Sequence, residues 1–240
     1  MIRSLIFGAV FYANTALFLV IGSPLLLAPR TWAMTGLRLH ARASLWWFRI
    51  IVGTKLEVRG LEHLPADAAL IAAKHQSAWD TFALIPVFRD PAMVMKAELG
   101  SIPFYGWFSR KFEHILVRRD RGPAALRDML RMAKARHLAG RDIVIFPEGT
   151  RRLVDAPPDY KSGVVALYSG LDAPCVPVAL NSGVFWPRNS LMRRPGTIVV
   201  QLLEPIPPGL DRKTFRDTLE TRIEAATTKL VAEARGTTPP

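Results

Sequence analysis

The stretch AALIAAKHQSAWD, residues 68–80, contains the sequence pattern that is most informative about the fold of this chain. Its first six residues are apolar and have the length and composition of a buried β-strand, and polar residues follow directly. In open α/β sheets, ligand-binding and reacting groups collect at the carboxyl ends of the strands. The stretch therefore predicts a buried strand that ends in a candidate catalytic loop.

Short apolar runs alternate with helical patterns from Gly53 onwards. This alternation is typical of an α/β domain in which helices flank a mostly parallel central sheet. Strands are predicted at residues 56–58, 68–73, 93–95, 114–117, 143–146, 175–180 and 197–202. Helices are predicted at residues 79–88, 104–109, 124–138, 162–169 and 212–234.

The first 52 residues have a different composition, and we predict two parts: anchoring helices over 1–52 and a domain over 53–240. The 26 residues between Arg3 and Arg30 carry no charge, which is enough length to cross a bilayer. Residues 32–52 mix tryptophan and aliphatic side chains with three arginines, as interfacial helices do. A spanning helix and a helical pair that dips into one leaflet both fit. Core helices of a soluble protein are the alternative, and a cleavable signal peptide fits less well.

The positive charge of the chain lies in two blocks. Lys and Arg number 32 against 20 Asp and Glu, a formal net charge of +12, and residues 1–52 and 96–141 account for all of it. Such blocks attract anionic membranes, phosphorylated substrates or nucleic acid. Because the first block is embedded in apolar sequence, and no zinc-finger or RNA-binding signature is present, we expect contact with anionic lipid and none with nucleic acid.

A single cysteine, Cys175, excludes an intramolecular disulfide framework and a cysteine-rich zinc site. A chain without disulfides needs no oxidising compartment, which favours the cytosolic side of a membrane.

Two polar clusters follow predicted strands. In the first, Asp80 lies five residues after His75 and could orient its imidazole while His75 takes a proton from a substrate. Ser77 lies between them, but no strand-turn-helix elbow supports a serine nucleophile. The second cluster is FPEGTR, residues 146–151, in which backbone N–H groups, the Thr150 hydroxyl and the Arg151 guanidinium could bind an anion. A capping aspartate and a tight turn with a surface ion pair are the alternative interpretations.

Together the two clusters resemble the HxxxxD and FPEGTR motifs of the PlsC-type 1-acyl-sn-glycerol-3-phosphate (lysophosphatidic acid) acyltransferase family. Further segments resemble that family in the same order, so the similarity covers about residues 68–183; they are residues 96–99, 117–119, 161–163 and 176–178. The chain departs from the family pattern at Lys74, where members often have Asn, and at Arg118, where Asp is usual.

The resemblance implies an enzyme that transfers a fatty acyl group from acyl-CoA or acyl-carrier protein to the sn-2 hydroxyl of lysophosphatidic acid. It implies that His75 is the general base and that Asp80 supports it. Lys96, Arg119 and Arg151 are the candidates for binding the acceptor phosphate. Glu148, Gly149 and Thr150 complete the candidate substrate site. No metal and no cofactor beyond the acyl donor are expected.

Other functions remain open at this stage. The acceptor could be a different lyso-lipid, in phospholipid remodelling or in the acylation of a lyso-aminolipid. A non-enzymatic basic protein that binds membrane or nucleic acid is the alternative from another class. For the enzyme, we expect membrane association with the active site on the cytoplasmic face, in a bacterial inner membrane.

Overall fold

A seven-stranded sheet forms the centre of the molecule, in a computed structural model that describes residues 1–118 and 121–237. Its strands are β1 (Thr54–Arg59), β2 (Leu70–Ala73), β3 (Ala92–Lys96), β4 (Ile115–Val117), β5 (Ile143–Ile145), β6 (Cys175–Leu180) and β7 (Gly196–Leu202). They lie in the order β1-β7-β6-β2-β5-β3-β4. The five strands from β6 to β4 are parallel, whereas β7 is antiparallel to β6 and parallel to β1. The predicted mostly parallel sheet is confirmed.

Helices flank this sheet, as predicted. They are α1 (Ile2–Ile21), α2 (Arg30–Trp47), α3 (Asp80–Ala83), α4 (Tyr105–Lys111), α5 (Pro123–Leu138), α6 (Ser162–Leu171), α7 (Ser182–Phe185) and α8 (Arg212–Arg235). Helix α7 was not predicted, and the predicted helix at 79–88 is longer than α3, which ends at Ala83. Pro86 accounts for the shorter helix, because proline lacks an N–H and disfavours helical geometry in the residue before it.

Successive residues of β2 point to opposite faces of the sheet, and each face has its own apolar core. Ile71 and Ala73 lie in the core that also contains Phe7 of α1. Leu70 and Ala72 lie in the core formed with apolar residues of α5, α6 and α8. We call these the α1 face and the α8 face. The loop after β2 therefore lies at the carboxyl end of this central strand, between the two cores.

Among the described residues, α1 is the helix that is long and apolar enough to cross a membrane. Its mean hydropathy is 2.0, and only 11% of its most apolar stretch is buried. Three contacts along its length nevertheless hold it against the sheet domain: Ser4 with the Arg193 main chain, Phe11 with Phe82 and Phe18 with Phe108. The helix thus lies along the domain with one buried face and one exposed apolar face. Membrane association follows from that exposed apolar face.

Candidate active site

His75 and Asp80 lie at the carboxyl end of β2 and form a hydrogen-bonded pair. The Nδ1 atom of His75 is 3.0 Å from Oδ2 of Asp80. The same carboxylate oxygen accepts hydrogen bonds from the backbone N–H groups of Gln76 and Ser77, both at 2.8 Å. Because a carboxylate only accepts, the contact assigns the proton to Nδ1 and leaves Nε2 of the imidazole as the basic nitrogen.

Burial and stacking hold the dyad in place. Asp80 has no exposed surface, and the His75 imidazole stacks on the Phe146 ring with centroids 4.0 Å apart and an interplanar angle of 16°. About a tenth of the His75 side chain, 11%, stays exposed. The imidazole is therefore fixed from behind and along one face, and a small part of it remains accessible to a substrate.

The FPEGTR segment follows β5, the parallel neighbour of β2, and together with the next residue, Arg152, it binds both backbone groups of His75. The N–H of His75 donates to Oε2 of Glu148 at 2.8 Å, and its carbonyl accepts from the N–H of Arg152 at 2.7 Å. Gly149 turns the chain with φ +67° and donates its N–H to the Phe146 carbonyl, a geometry that favours glycine. The two motifs thus form one hydrogen-bonded unit, although 73 residues separate His75 from Glu148.

Glu148 is a buried connector between the two motifs. Only 1% of the residue is exposed, and its Oε1 atom lies 2.7 Å from Nζ of Lys74. Burial raises the pKa of this carboxyl, and the Lys74 ammonium opposes that rise. Both carboxylate oxygens therefore contact groups of the protein, which points to a positioning role for Glu148.

Three of the other predicted substrate-binding residues, Lys96, Thr150 and Arg151, lie at the same end of the sheet. Thr150 and Arg151 are half-buried in the turn after β5, and the Arg151 carbonyl accepts from Arg188 at 2.6 Å. Lys96 is exposed at the end of β3, two strands from β2 and so about 10 Å across the sheet. Arg119 lies outside the described residues.

Two residues beside the site, Glu224 and Tyr160, were not among the residues predicted from the sequence. Glu224 of α8 binds Nζ of Lys74 through both carboxylate oxygens, at 2.7 and 2.9 Å, and the Tyr160 hydroxyl donates to Glu224 at 3.0 Å. Lys74 was noted only as a departure from the family pattern. No sequence signal marks Glu224, because it lies 150 residues further along the chain on an ordinary amphipathic helix.

Solved structures and known sequences show clear similarity to this chain. The crystal structure of a 1-acyl-sn-glycerophosphate (LPA) acyltransferase, PlsC, from Thermotoga maritima matches with a TM-score of 0.76 and 22% identity, over 94% of this chain and 96% of that one. This likeness establishes a shared fold.

Sequence relatives include two proteins of Pseudomonas aeruginosa. A 1-acyl-sn-glycerol-3-phosphate acyltransferase is 36% identical over 66% of this chain, and the match spans 62% of that relative's length. A lyso-ornithine lipid O-acyltransferase is 30% identical over 72% of this chain and 74% of its own length. A family model described as Acyltransferase matches residues 55–181, more than half of the chain. The chain therefore belongs to the acyltransferase family.

Proposed function

We propose that this protein transfers a fatty acyl group from a thioester donor to the sn-2 hydroxyl of lysophosphatidic acid, and that His75 is the general base. The observation that carries the proposal is the joining of the two motifs. The His75–Asp80 dyad and the FPEGTR turn meet at the carboxyl ends of adjacent strands and share hydrogen bonds to His75. Similarity to a 1-acyl-sn-glycerol-3-phosphate acyltransferase supports the choice of acceptor.

The dyad fits direct acyl transfer. The sn-2 hydroxyl gives its proton to Nε2 of His75 as its oxygen attacks the thioester carbonyl. The tetrahedral intermediate then collapses, the C–S bond breaks, and the imidazolium returns the proton to the leaving thiolate. Asp80 stabilises the imidazolium through Nδ1. Acid–base catalysis of this kind contributes about 10²–10⁴-fold, and correct orientation of the two lipids supplies a further large part.

Three basic side chains suit the acceptor phosphate. Arg151, Lys96 and Arg119 are the residues that we assign to it, and Gly149 and Thr150 line the glycerol end in the turn after β5. Glu148 supports this site from behind through Lys74 and the His75 N–H. The donor is acyl-CoA or acyl-carrier protein, and neither a metal nor another cofactor takes part.

Membrane delivery of the lipid acceptor fits the position of the site. The His75 ring stacks on Phe146, which packs against the α1-face core, so the dyad opens on the side of the sheet that carries α1. Because α1 contacts the domain from its first to its last turn, we assign it to one leaflet and not to a span. Anionic lipids of the cytoplasmic face of a bacterial inner membrane would meet the exposed arginines of residues 1–52, which are Arg3, Arg42 and Arg49.

Replacement of His75 tests the proposed chemistry. In an assay with lysophosphatidic acid and an acyl-CoA donor, His75→Ala should lower kcat by at least about 10²-fold. His63→Ala, in the short helix Leu61–His63 away from the dyad, is the matched control and should keep wild-type activity. Full activity of a folded His75→Ala protein would exclude His75 as the base.

The acceptor requires its own test. Arg151→Ala should raise KM for lysophosphatidic acid with a smaller effect on KM for the donor, because a phosphate dianion depends on charged hydrogen-bond donors. An unchanged KM for lysophosphatidic acid would remove Arg151 from the phosphate site.

A lyso-ornithine lipid is the second candidate acceptor. The observation in its favour is the similarity to the lyso-ornithine lipid O-acyltransferase, because the match spans 74% of the length of that protein. Parallel assays with lysophosphatidic acid and lyso-ornithine lipid, each with both donor types, separate the two functions by their kcat/KM values.

A further inference from the structure

A buried ionic cluster lies directly behind the catalytic loop. It consists of Lys74, Glu148, Tyr160 and Glu224, and we call it the Lys74 cluster. Nζ of Lys74 lies 2.7 Å from Oε1 of Glu148 and 2.7 Å from Oε1 of Glu224. Lys74 is 2% exposed, whereas the Glu224 side chain is 26% exposed. One cation thus lies between two carboxylates, and the cluster has a net charge of −1 when all three groups are ionised.

The cluster and the imidazole lie on opposite faces of the sheet. Lys74 still pairs with β6, through its N–H and the Val178 carbonyl at 2.9 Å, so the strand geometry continues past Ala73. Its side chain follows Leu70 and Ala72 towards the α8 face, where it meets Glu224. The next residue, His75, faces the α1 side and stacks on Phe146 there.

Glu148 connects the two faces. One oxygen of its carboxylate binds Lys74 on the α8 side, and the other accepts the N–H of His75 at 2.8 Å. Because this carboxylate is buried, its charge depends on a compensating cation. Burial raises the pKa of Glu148, and Lys74 is the group that most opposes the rise. A change in the charge on Lys74, or on its second partner Glu224, therefore alters the electrostatic environment of the His75 backbone and imidazole.

We infer that Lys74 and Glu224 are positioning residues that set, through Glu148, the proton affinity of His75 from the opposite face of the sheet. The inference rests on the proposed role of His75 as the general base. It gives α8 a part in catalysis, although none of its residues belongs to either motif. It also gives a function to Lys74, the residue at which the chain departs from the Asn that family members often have.

Among the residues that the structure describes, the ionisable groups that contact His75 or lie behind Glu148 come from four elements. Asp80 of α3 binds the imidazole directly, and Glu148 from the turn after β5 binds the N–H. Lys74 from the end of β2 and Glu224 of α8 complete the chain of contacts behind Glu148. The nearby Arg152 binds His75 only through its own backbone, since its guanidinium contacts the Pro157 carbonyl and Asp159.

Two substitutions that change the charge of the cluster in opposite directions test the inference on the full-length protein. Glu224→Gln removes a negative charge, so protonation of His75 becomes less favourable and the acidic limb of kcat/KM moves to lower pH. Lys74→Asn removes the cation, so the limb moves to higher pH for as long as Glu148 stays ionised. Protonation of Glu148 removes a negative charge beside His75 and opposes that movement. We expect shifts of about 0.5–1 pH unit with KM for both substrates little changed.

The double variant and a matched control separate electrostatics from structural damage. With Glu148 ionised, Lys74→Asn with Glu224→Gln restores the net charge of −1, and over that pH range its acidic limb should return towards that of the wild type. Glu233→Gln makes the same charge change on the same helix, at an exposed carboxylate that pairs with Arg59. Its pH profile should match that of the wild type. Thermal unfolding of every variant confirms that the measured enzyme is folded.

Two results would overturn the inference. They are an unmoved acidic limb in folded Glu224→Gln and an equal shift in Glu233→Gln. If Lys74→Asn does not fold, Glu224→Gln decides alone, since its carboxylate is partly solvated and the amide has the same shape. Activity that survives in His75→Ala would instead refute the proposed base. An inactive His75→Ala together with unmoved limbs refutes only the role of the Lys74 cluster.

Discussion

At the scale of single residues, Asp80 decides the orientation of the catalytic imidazole. One of its oxygens accepts hydrogen bonds from Nδ1 of His75 and from two backbone N–H groups of the same loop. An asparagine can still accept the backbone bonds, but its amide N–H group can stabilise the wrong imidazole tautomer.

Asp80→Asn should therefore lower kcat by about 10³-fold or more while the protein remains folded. Steady-state kinetics and thermal unfolding together check this expectation. Asp128→Asn is a suitable control, because Asp128 forms an exposed ion pair with Arg131 on α5. A folded Asp80→Asn enzyme with near wild-type kcat would contradict the proposed role of the dyad.

Cys175 provides a second prediction for a single residue. It lies in β6 with no exposed surface, and burial raises the pKa of its thiol. Since the thiolate is the reactive form, a thiol reagent should modify the native protein far more slowly than the unfolded one. Acyl transfer should continue after exposure of the native enzyme to iodoacetamide. Rapid modification with loss of activity would favour a covalent acyl-enzyme on Cys175 over direct acyl transfer.

At the scale of elements, α1 has two faces with different tasks. Phe7 is fully buried, with its ring 4.7 Å from that of Phe48 and 5.4 Å from that of Trp186, whereas Ile6 is half exposed. The buried face belongs to the core beside β2, and the exposed face is available to lipid.

Phe7→Ala should lower the free energy of unfolding by roughly 3–5 kcal/mol in detergent solution, because it leaves a cavity in this core. Ile6→Ala on the same helix should change unfolding little and instead weaken binding to phosphatidylglycerol vesicles. Denaturant titration and vesicle sedimentation separate the two effects. Equal loss of stability in both variants would show that α1 does not have the two faces described.

At the scale of the whole molecule, the N-terminal helices and the sheet share one core. Phe7, Ala41, Phe48 and Val52 all belong to the apolar cluster that covers the α1 face of β2. Removal of residues 1–52 would expose that surface to water. Residues 1–52 and 53–240 therefore differ in composition, but their apolar side chains pack into one common core.

A truncated chain of residues 53–240 should accordingly aggregate or expose its core, even though it retains both motifs. Expression, size-exclusion chromatography and the binding of a hydrophobic dye check this outcome. The control is the full-length chain in the same detergent. A monomeric, active 53–240 protein would show that the N-terminal helices serve the membrane alone.

Much of the fold can be predicted from the sequence because its signals are local. Apolar runs bounded by polar or turn residues predicted each of the seven strands of the described sheet. The apolar stripe of α5 predicted the start of that helix to within one residue. The helix after His75 was too long in the prediction because tertiary packing and Pro86 outweighed its apolar pattern. Strand order and the antiparallel β6–β7 pair depend on contacts between distant residues, which local patterns do not contain.

The same division applies to the site. The HxxxxD and FPEGTR motifs, their positions after predicted strands and hence the family that the chain resembles can all be recognised in the sequence alone. Only the tertiary structure joined His75 to Glu148 across 73 residues and Lys74 to Glu224 across 150. The physical reason is that a motif records residues that are close along the chain. A buried ion pair instead forms between whichever charged groups the packed sheet and helix bring within hydrogen-bond distance.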